Sequence, residues 1–165
     1  MKNRIQTAQQ GFSLVEWLMV IALIGVIGSI GTQSWNHYQQ REKLLITARQ
    51  LLIFLTHVQT DAFWLNRSAL LWQSHSEHWC IGSGIQPTNG CSQQDGWLFS
   101  PEYPDITLAE YMPENMGFYG LRNTAQPGHI TLANSAGRIR LVISNQGRMR
   151  LCSEQHSQGR IPLCH

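Results

Sequence analysis

The first sixty-odd residues divide into a continuously apolar run and a periodic one. From Phe12 to Gly31, twenty residues pass with Glu16 as the only charge. As a helix this run spans roughly 30 Å, the thickness of a bilayer's hydrocarbon core. No Gly or Pro occurs between Thr32 and Ile81, so the helix is expected to continue. Leu44, Leu45, Ala48, Leu51, Leu52, Leu55, Val58 and Ala62 recur at three- and four-residue steps, which marks one buried face. Gln39, Gln40, Glu42, Lys43, Gln50 and Gln59 fill much of the remainder, and an end is predicted between Trp64 and Arg67. Gly25, Gly28 and Gly31 form a small-residue strip, suited either to close helix approach or to bending.

After the helix the pattern shortens. "ALLWQS", "HWCIGSG", "GWLFSP", "MGFYGLR", "HITLAN", "RIRLVIS" and "RMRLC" are candidate strands separated by Gly, Pro and Asn clusters. The clearest pair closes the chain: Arg138–Ser144 alternates polar with apolar, Asn145–Gly147 supplies a three-residue turn, and Arg148–Cys152 alternates again. The predicted fold is α+β, a long N-terminal helix packed on a small, mostly antiparallel sheet domain. Trp64, Trp72, Trp79 and Trp97 are expected in its core, and Trp35 and Tyr38 at a membrane interface.

Composition changes this picture in two places. The net charge of +2 comes from Lys2 and Arg4, because ten basic residues balance ten acidic ones from Gly11 onward. Seven acids between Asp61 and Glu114 face Arg67 alone, whereas six arginines from Arg122 onward face Glu154 alone. An acidic middle and a basic end attract each other within the fold or between copies. The four cysteines, Cys80, Cys91, Cys152 and Cys164, all follow the apolar run, which points to two disulfides in an oxidising compartment. Three connectivities are possible; Cys80–Cys91 and Cys152–Cys164 are preferred because each pair brackets a short polar, Gly-containing loop. A metal site using these thiolates with His75, His78 or His156 lacks the C-x-x-C spacing, so no metal or cofactor is expected. No G-x-S-x-G, phosphate loop or H-E-x-x-H is present. His57, Asp61 and Ser68 form a triad only on paper, and no enzyme is expected.

Glu16 is the residue that discriminates among N-terminal types. A removable secretory signal has a shorter apolar core, and a plain signal anchor gives a carboxylate at apolar depth no partner. "GFSLVEWLMVIALIGVIG" resembles the N-terminus of type IV pilins and pseudopilins, with Gly11, Phe12, Ser13, Leu14 and Glu16 in the family's order and Trp17 bulkier than usual. The resemblance implies cleavage by prepilin peptidase between Gly11 and Phe12 and methylation of the new Phe12 amine. That ammonium lies four positions before Glu16, about one helical turn. Pairing of the two, within a chain or between neighbours, would set subunit registration, since stranding one member of a buried pair costs roughly 3–5 kcal/mol. The implied organisation is a leader over 1–11, a membrane and fibre-core helix over 12–31, an amphipathic continuation over 32–66 and a periplasmic β-rich domain over 67–165.

"FYGLRNTA" followed by "GRIRLVISNQGRMRLC" is similar to minor pilins of the GspH/FimT kind. That resemblance implies a low-abundance subunit that primes or caps a type IV pilus. Its implied partners are prepilin peptidase, the major pilin, other minor pilins and the inner-membrane assembly platform. A type II secretion pseudopilin and a DNA-binding subunit for transformation are the alternatives. The last is motivated by the hairpin: with Ser144 opposite Arg148, strand alternation puts Arg138, Arg140, Arg148 and Arg150 on one face. Such a face needs anionic cover, from the acidic middle, a neighbouring subunit or nucleic acid phosphates.

Overall fold

The computed structural model describes residues 13–75, 78–88, 90–91, 97–122, 124–155 and 161–164, with the backbone alone at 29–33 and 75. It divides into two compact units, Met1–Asn36 and His37–His165. One helix, α1 (Leu14–Trp64), contributes to both. In the first unit the Ser13 carbonyl accepts the amides of Glu16 and Trp17 and opens the helix. Glu16 lies in the first turn, where the helix dipole favours an anion by about 0.3–1 kcal/mol. Leu14, Val15, Trp17, Leu18, Met19, Val20, Ile21, Leu23, Ile24, Val26 and Ile27 are all exposed. A helix apolar all round requires a cover that is not water.

In the second unit Leu44, Leu45, Ala48, Leu51, Leu55, Val58 and Ala62 are buried, joined by Thr47 and Phe54. The helix stops in a Schellman arrangement. Asn66 takes a left-handed conformation (φ 50°), its amide reaches the Phe63 carbonyl and the Arg67 amide reaches that of Ala62. An Asn thus does at this end what a Gly more often does.

Among the described residues nine strands follow: β1 (Ser68–His75), β2 (Trp79–Ser83), β3 (Leu98–Phe99), β4 (Thr107–Met112), β5 (Gly117–Tyr119), β6 (Thr124–Ala125), β7 (Gly128–Asn134), β8 (Gly137–Ile143) and β9 (Met149–Ser153). They form two sheets, ordered β3-β2-β1-β5-β6 and β4-β7-β8-β9, with every named pair antiparallel. The sequence pattern leads to a single sheet and passes over β4, whose alternation is interrupted by a register shift between Leu108 and Glu110. It also passes over β6, only two residues long. Phe118, Ile81, Ile130, Leu132, Ile139 and Leu141 join the helix residues in one core. The β7–β8 turn is held at one level of the helix by Asn134 Nδ2 donating to the Gln40 carbonyl (2.7 Å). The β8–β9 turn is held at another by Gln59 Nε2 donating to the Gly147 carbonyl (3.0 Å). Residues 40 and 59 lie roughly 28 Å apart along a helix, so β7 and β8 run along its length. Gly147 has φ 72°, as the turn requires.

At the far end of α1, a 3-10 turn (Gly120–Arg122) follows β5, and the Gly120 amide donates to the Arg67 carbonyl (3.2 Å). A Cβ on residue 120 would stand 2.0 Å from the Ala62 carbonyl oxygen, so only Gly lets the turn sit against the helix end. Trp79 is buried, but Trp64 and Trp97 are exposed, contrary to the core assignment. Trp64 is the last helical residue, and Trp97 is turned outward to meet α1 with its indole N–H on Asp61 and its ring edge-on to His57.

Candidate functional site

Two regions carry the candidate chemistry, the N-terminal turn of α1 and the outer face of the β4-β7-β8-β9 sheet. Glu16 is exposed in the first turn. Gly11 and Phe12, the cleavage and methylation positions, lie outside the described residues, as does the leader; the pairing of Phe12 with Glu16 therefore remains a proposal. Among the described residues no helix is long and apolar enough to cross a membrane. Phe12 and the side chains at 29–33 of the apolar run are not among them.

Disulfides join Cys80 to Cys91 and Cys152 to Cys164. The second clamps the C-terminal segment beside β9, where Ser153 and Leu163 form a parallel bridge through Ser153 N–H to the Pro162 carbonyl and Cys164 N–H to the Ser153 carbonyl. With every cysteine sulfur in a disulfide, no thiolate remains for a metal. The His75 side chain and His156 lie outside the described residues. No group of three His, Cys, Asp or Glu placed to hold a metal ion occurs among those described. Asp61 and His57 both engage Trp97, and no described hydrogen bond links either of them to Ser68.

The arginine hairpin has the register that its alternation implies: Arg140 opposes Cys152 and Val142 opposes Arg150, while Ser144 N–H donates to the Arg148 carbonyl and Glu154 N–H to that of Arg138. The four cations share a face but not an environment. On β4, Glu110 Oε1 meets Arg138 at 3.2 Å and Oε2 meets Arg140 at 2.9 Å. Glu154 closes the other side, at 3.3 Å from Arg138 and 2.6 Å from Arg140. Thr131, buried on β7, donates its hydroxyl to Glu110 (3.0 Å) and accepts from Arg140 Nε (3.2 Å). His129 Nε2 stands 3.4 Å from the same carboxylate. The hydrogen bond from Thr131, followed by the charges of Arg140 and Arg138, holds the Glu110 carboxyl below its ordinary value against partial desolvation.

Arg148 and Arg150 are exposed and carry no ion pair among the described residues. They line an open concavity with Val142, Ser144, Asn145, Gln146 and Met149. Glu110 from the acidic middle and Glu154 from the basic end itself therefore neutralise one half of the arginine face within the chain and leave the other half to solvent or a partner. Glu110, Thr131 and His129 were not legible as members of this cluster. The alternation of "TLAEYM" was the available signal for Glu110, and the bulge obscured it.

Residues 6–32 match the family described as the prokaryotic N-terminal methylation motif. The chain is 22% identical over 166 residues to an uncharacterised protein of Haemophilus influenzae, covering 89% of this chain and 96% of that one. Its fold is similar to that of the type IV minor pilin FimU of Pseudomonas aeruginosa in two crystal forms. Both have a TM-score of 0.51 and 18% identity, covering 68% and 72% of this chain and 98% and 97% of FimU. The chain therefore has a type IV pilin-like fold, a helix packed on antiparallel sheets, entered through a prokaryotic N-terminal methylation motif.

Proposed function

We propose that this chain is a minor pilin, made as an inner-membrane precursor with its N-terminus in the cytoplasm and its disulfide-bonded domain in the periplasm. Prepilin peptidase cuts between Gly11 and Phe12 and methylates Phe12. The processed chain then leaves the membrane through the assembly platform to join the major pilin and other minor pilins, priming or capping a type IV pilus. The observation that carries this reading is a methylation motif over residues 6–32 that contains a helix exposed and, Glu16 apart, without charge on any side from Leu14 to Ile27. A bilayer covers that surface before assembly and neighbouring helices cover it afterwards. The finer assignment, to the GspH/FimT kind and most like prepilin-peptidase-dependent protein A, is supported by the hairpin sequence. A pilus is preferred to a type II secretion pseudopilus because the solved relatives it resembles are pilus subunits. Quantitative mass spectrometry of sheared, washed fibres tests this. The chain should be present at a small fraction of the major pilin, and its absence from fibres of cells that express it contradicts the proposal.

Arg148 and Arg150, exposed and without an ion pair among the described residues, favour a second reading in which this edge contacts DNA phosphates. Exchanging both for Gln should weaken duplex binding at low salt, and since two phosphate contacts are lost, the salt slope should fall by about two. Binding that is undetectable in the parent, or unchanged in the variant, counts against it.

A further inference from the structure

The arginine face carries a division that its alternation does not require. With Arg140 opposite Cys152 and Val142 opposite Arg150, the order along the hairpin is Arg148, Arg150, Arg140, Arg138. Alternate residues of one strand, and diagonal neighbours on two, lie roughly 7 Å apart, so the four positions step along one line. An open concavity lies on each side of Arg150, one shared with Val142, Ser144 and Arg148, the other with Val142, Arg140 and the Cys152–Cys164 disulfide. The two halves of this line differ in what holds them. Arg140 gives Nε to Thr131 and Nη2 to both Glu110 and Glu154. Arg138 gives Nη2 to Glu110 and Nε to Glu154. The Nε–Nη2 edge, one with which a guanidinium grips a phosphate bidentately, is taken in both. Arg148 and Arg150 are exposed and have no ion pair among the described residues.

We infer that Glu110 and Glu154 limit the footprint of this face on nucleic acid: they occupy the inner half of a four-arginine track and confine phosphate contact to Arg148 and Arg150. This role rests on the DNA contact proposed above and adds the regulation of that site. Glu110, Thr131 and Arg140 are successive cross-strand partners on β4, β7 and β8, so the carboxylate is aimed along the sheet at the arginines. Glu154 comes from the other side, its amide on the Arg138 carbonyl and its side chain only 16% exposed, where salt screens it little. A phosphate that approaches Arg138 or Arg140 meets a carboxylate within 3.3 Å of each nitrogen it needs, a like-charge encounter. At Arg148 and Arg150 no such carboxylate is paired with the guanidinium among the described residues. A purely architectural role for the same ion pairs, tying β4 and the end of β9 to β8, has a different consequence. Loss of the acids would then loosen the sheet and leave the number of phosphate contacts where it was.

The test measures binding of the oxidised, detergent-solubilised full chain to a short DNA duplex across a salt series. Each phosphate engaged adds about 0.9 to the slope of log affinity against log salt. The double variant Glu110→Gln and Glu154→Gln should therefore raise the slope from about 1.8 to about 3.6 and bind at least tenfold more tightly at low salt. Adding Arg138→Gln and Arg140→Gln to it should return affinity and slope to those of the parent. An unchanged slope, weaker binding, or a gain that survives loss of Arg138 and Arg140 overturns the inference. Should the urea midpoint show that the double variant has a loosened sheet, Glu154→Gln alone replaces it and must raise the slope by about one. The DNA reading is scored in the same series. Parent binding that depends on Arg148 and Arg150, with no gain on neutralising the acids, sinks this inference alone. Binding by the neutralised chain only, lost again without Arg138 and Arg140, sinks the DNA reading of the parent and keeps the acids as its cause. Binding by neither chain sinks both.

Discussion

A Glu16→Ala chain should be cut at the same bond as the parent yet be recovered in fibres at a level at least a hundredfold lower. The reason is an electrostatic remainder. Cleavage leaves an ammonium on Phe12, and in a packed helical core that cation has no water to solvate it. Removing the partner of a buried charge costs roughly 3–5 kcal/mol, and each 1.4 kcal/mol is a factor of ten in an equilibrium. Glu16→Gln should fail nearly as badly, because an amide keeps the shape but not the charge, while Glu16→Asp should retain part of the activity. Immunoblots of sheared fibres against the membrane fraction measure the effect. Equal recovery of Glu16→Ala and parent would show that the carboxylate is merely tolerated at the helix start, where the macrodipole already favours it.

The second large effect belongs to the domain. Phe118 is fully buried on β5, with Ala69 on one neighbouring strand and Ala125 on the other as its cross-strand partners. Small residues on both sides leave the ring itself to fill the space. Phe118→Ala should therefore destabilise the folded domain by about 3–5 kcal/mol, a large share of the ~5–15 kcal/mol typical of a whole domain. Urea unfolding of the oxidised, detergent-solubilised chain, followed by tryptophan fluorescence, should show the midpoint move to much lower urea. The exposed neighbour Leu121, exchanged for Ser, should leave it nearly unchanged. A loss below about 1 kcal/mol at Phe118, under the usual range for a buried aromatic, would mean the sheet closes over the cavity more readily than its packing suggests.

These two residues also mark where the sequence was informative and where it was not. Glu16 stands out because one charge among twenty apolar residues has few physical explanations, and the helix face from Leu44 to Ala62 is legible because its spacing has a single period. The hairpin register could be read because one turn and two alternating runs determine each other. Phe118 was harder: "MGFYGLR" suggested a strand, but nothing local revealed that it joins a second sheet or that Gly120 is needed for backbone clearance against Ala62. The fate of the arginine face depended on Glu110, some thirty residues upstream on a strand whose alternation is broken by a bulge. Long-range charge pairing leaves no short-range signature. Trp64 and Trp97 misled for a related reason. Burial preference describes an average tryptophan, and these two lie where a helix ends and where an indole bonds to a surface carboxylate.

Disulfide placement has a mechanical consequence for the same domain. Cys152–Cys164 fixes the C-terminal segment against β9, an edge strand whose free N–H and C=O groups would otherwise attract other chains. In a protein meant to assemble through chosen surfaces, covering part of an open sheet edge limits adventitious pairing.

The most direct test is the mass of the N-terminal peptide of the mature chain, taken from cells with and without prepilin peptidase. With the enzyme the chain should begin at Phe12 and carry one methyl group on its amine, and without it the leader should remain. A chain that begins at Met1, or at any residue other than Phe12, in cells that contain the peptidase would remove the cation on which the role of Glu16 depends.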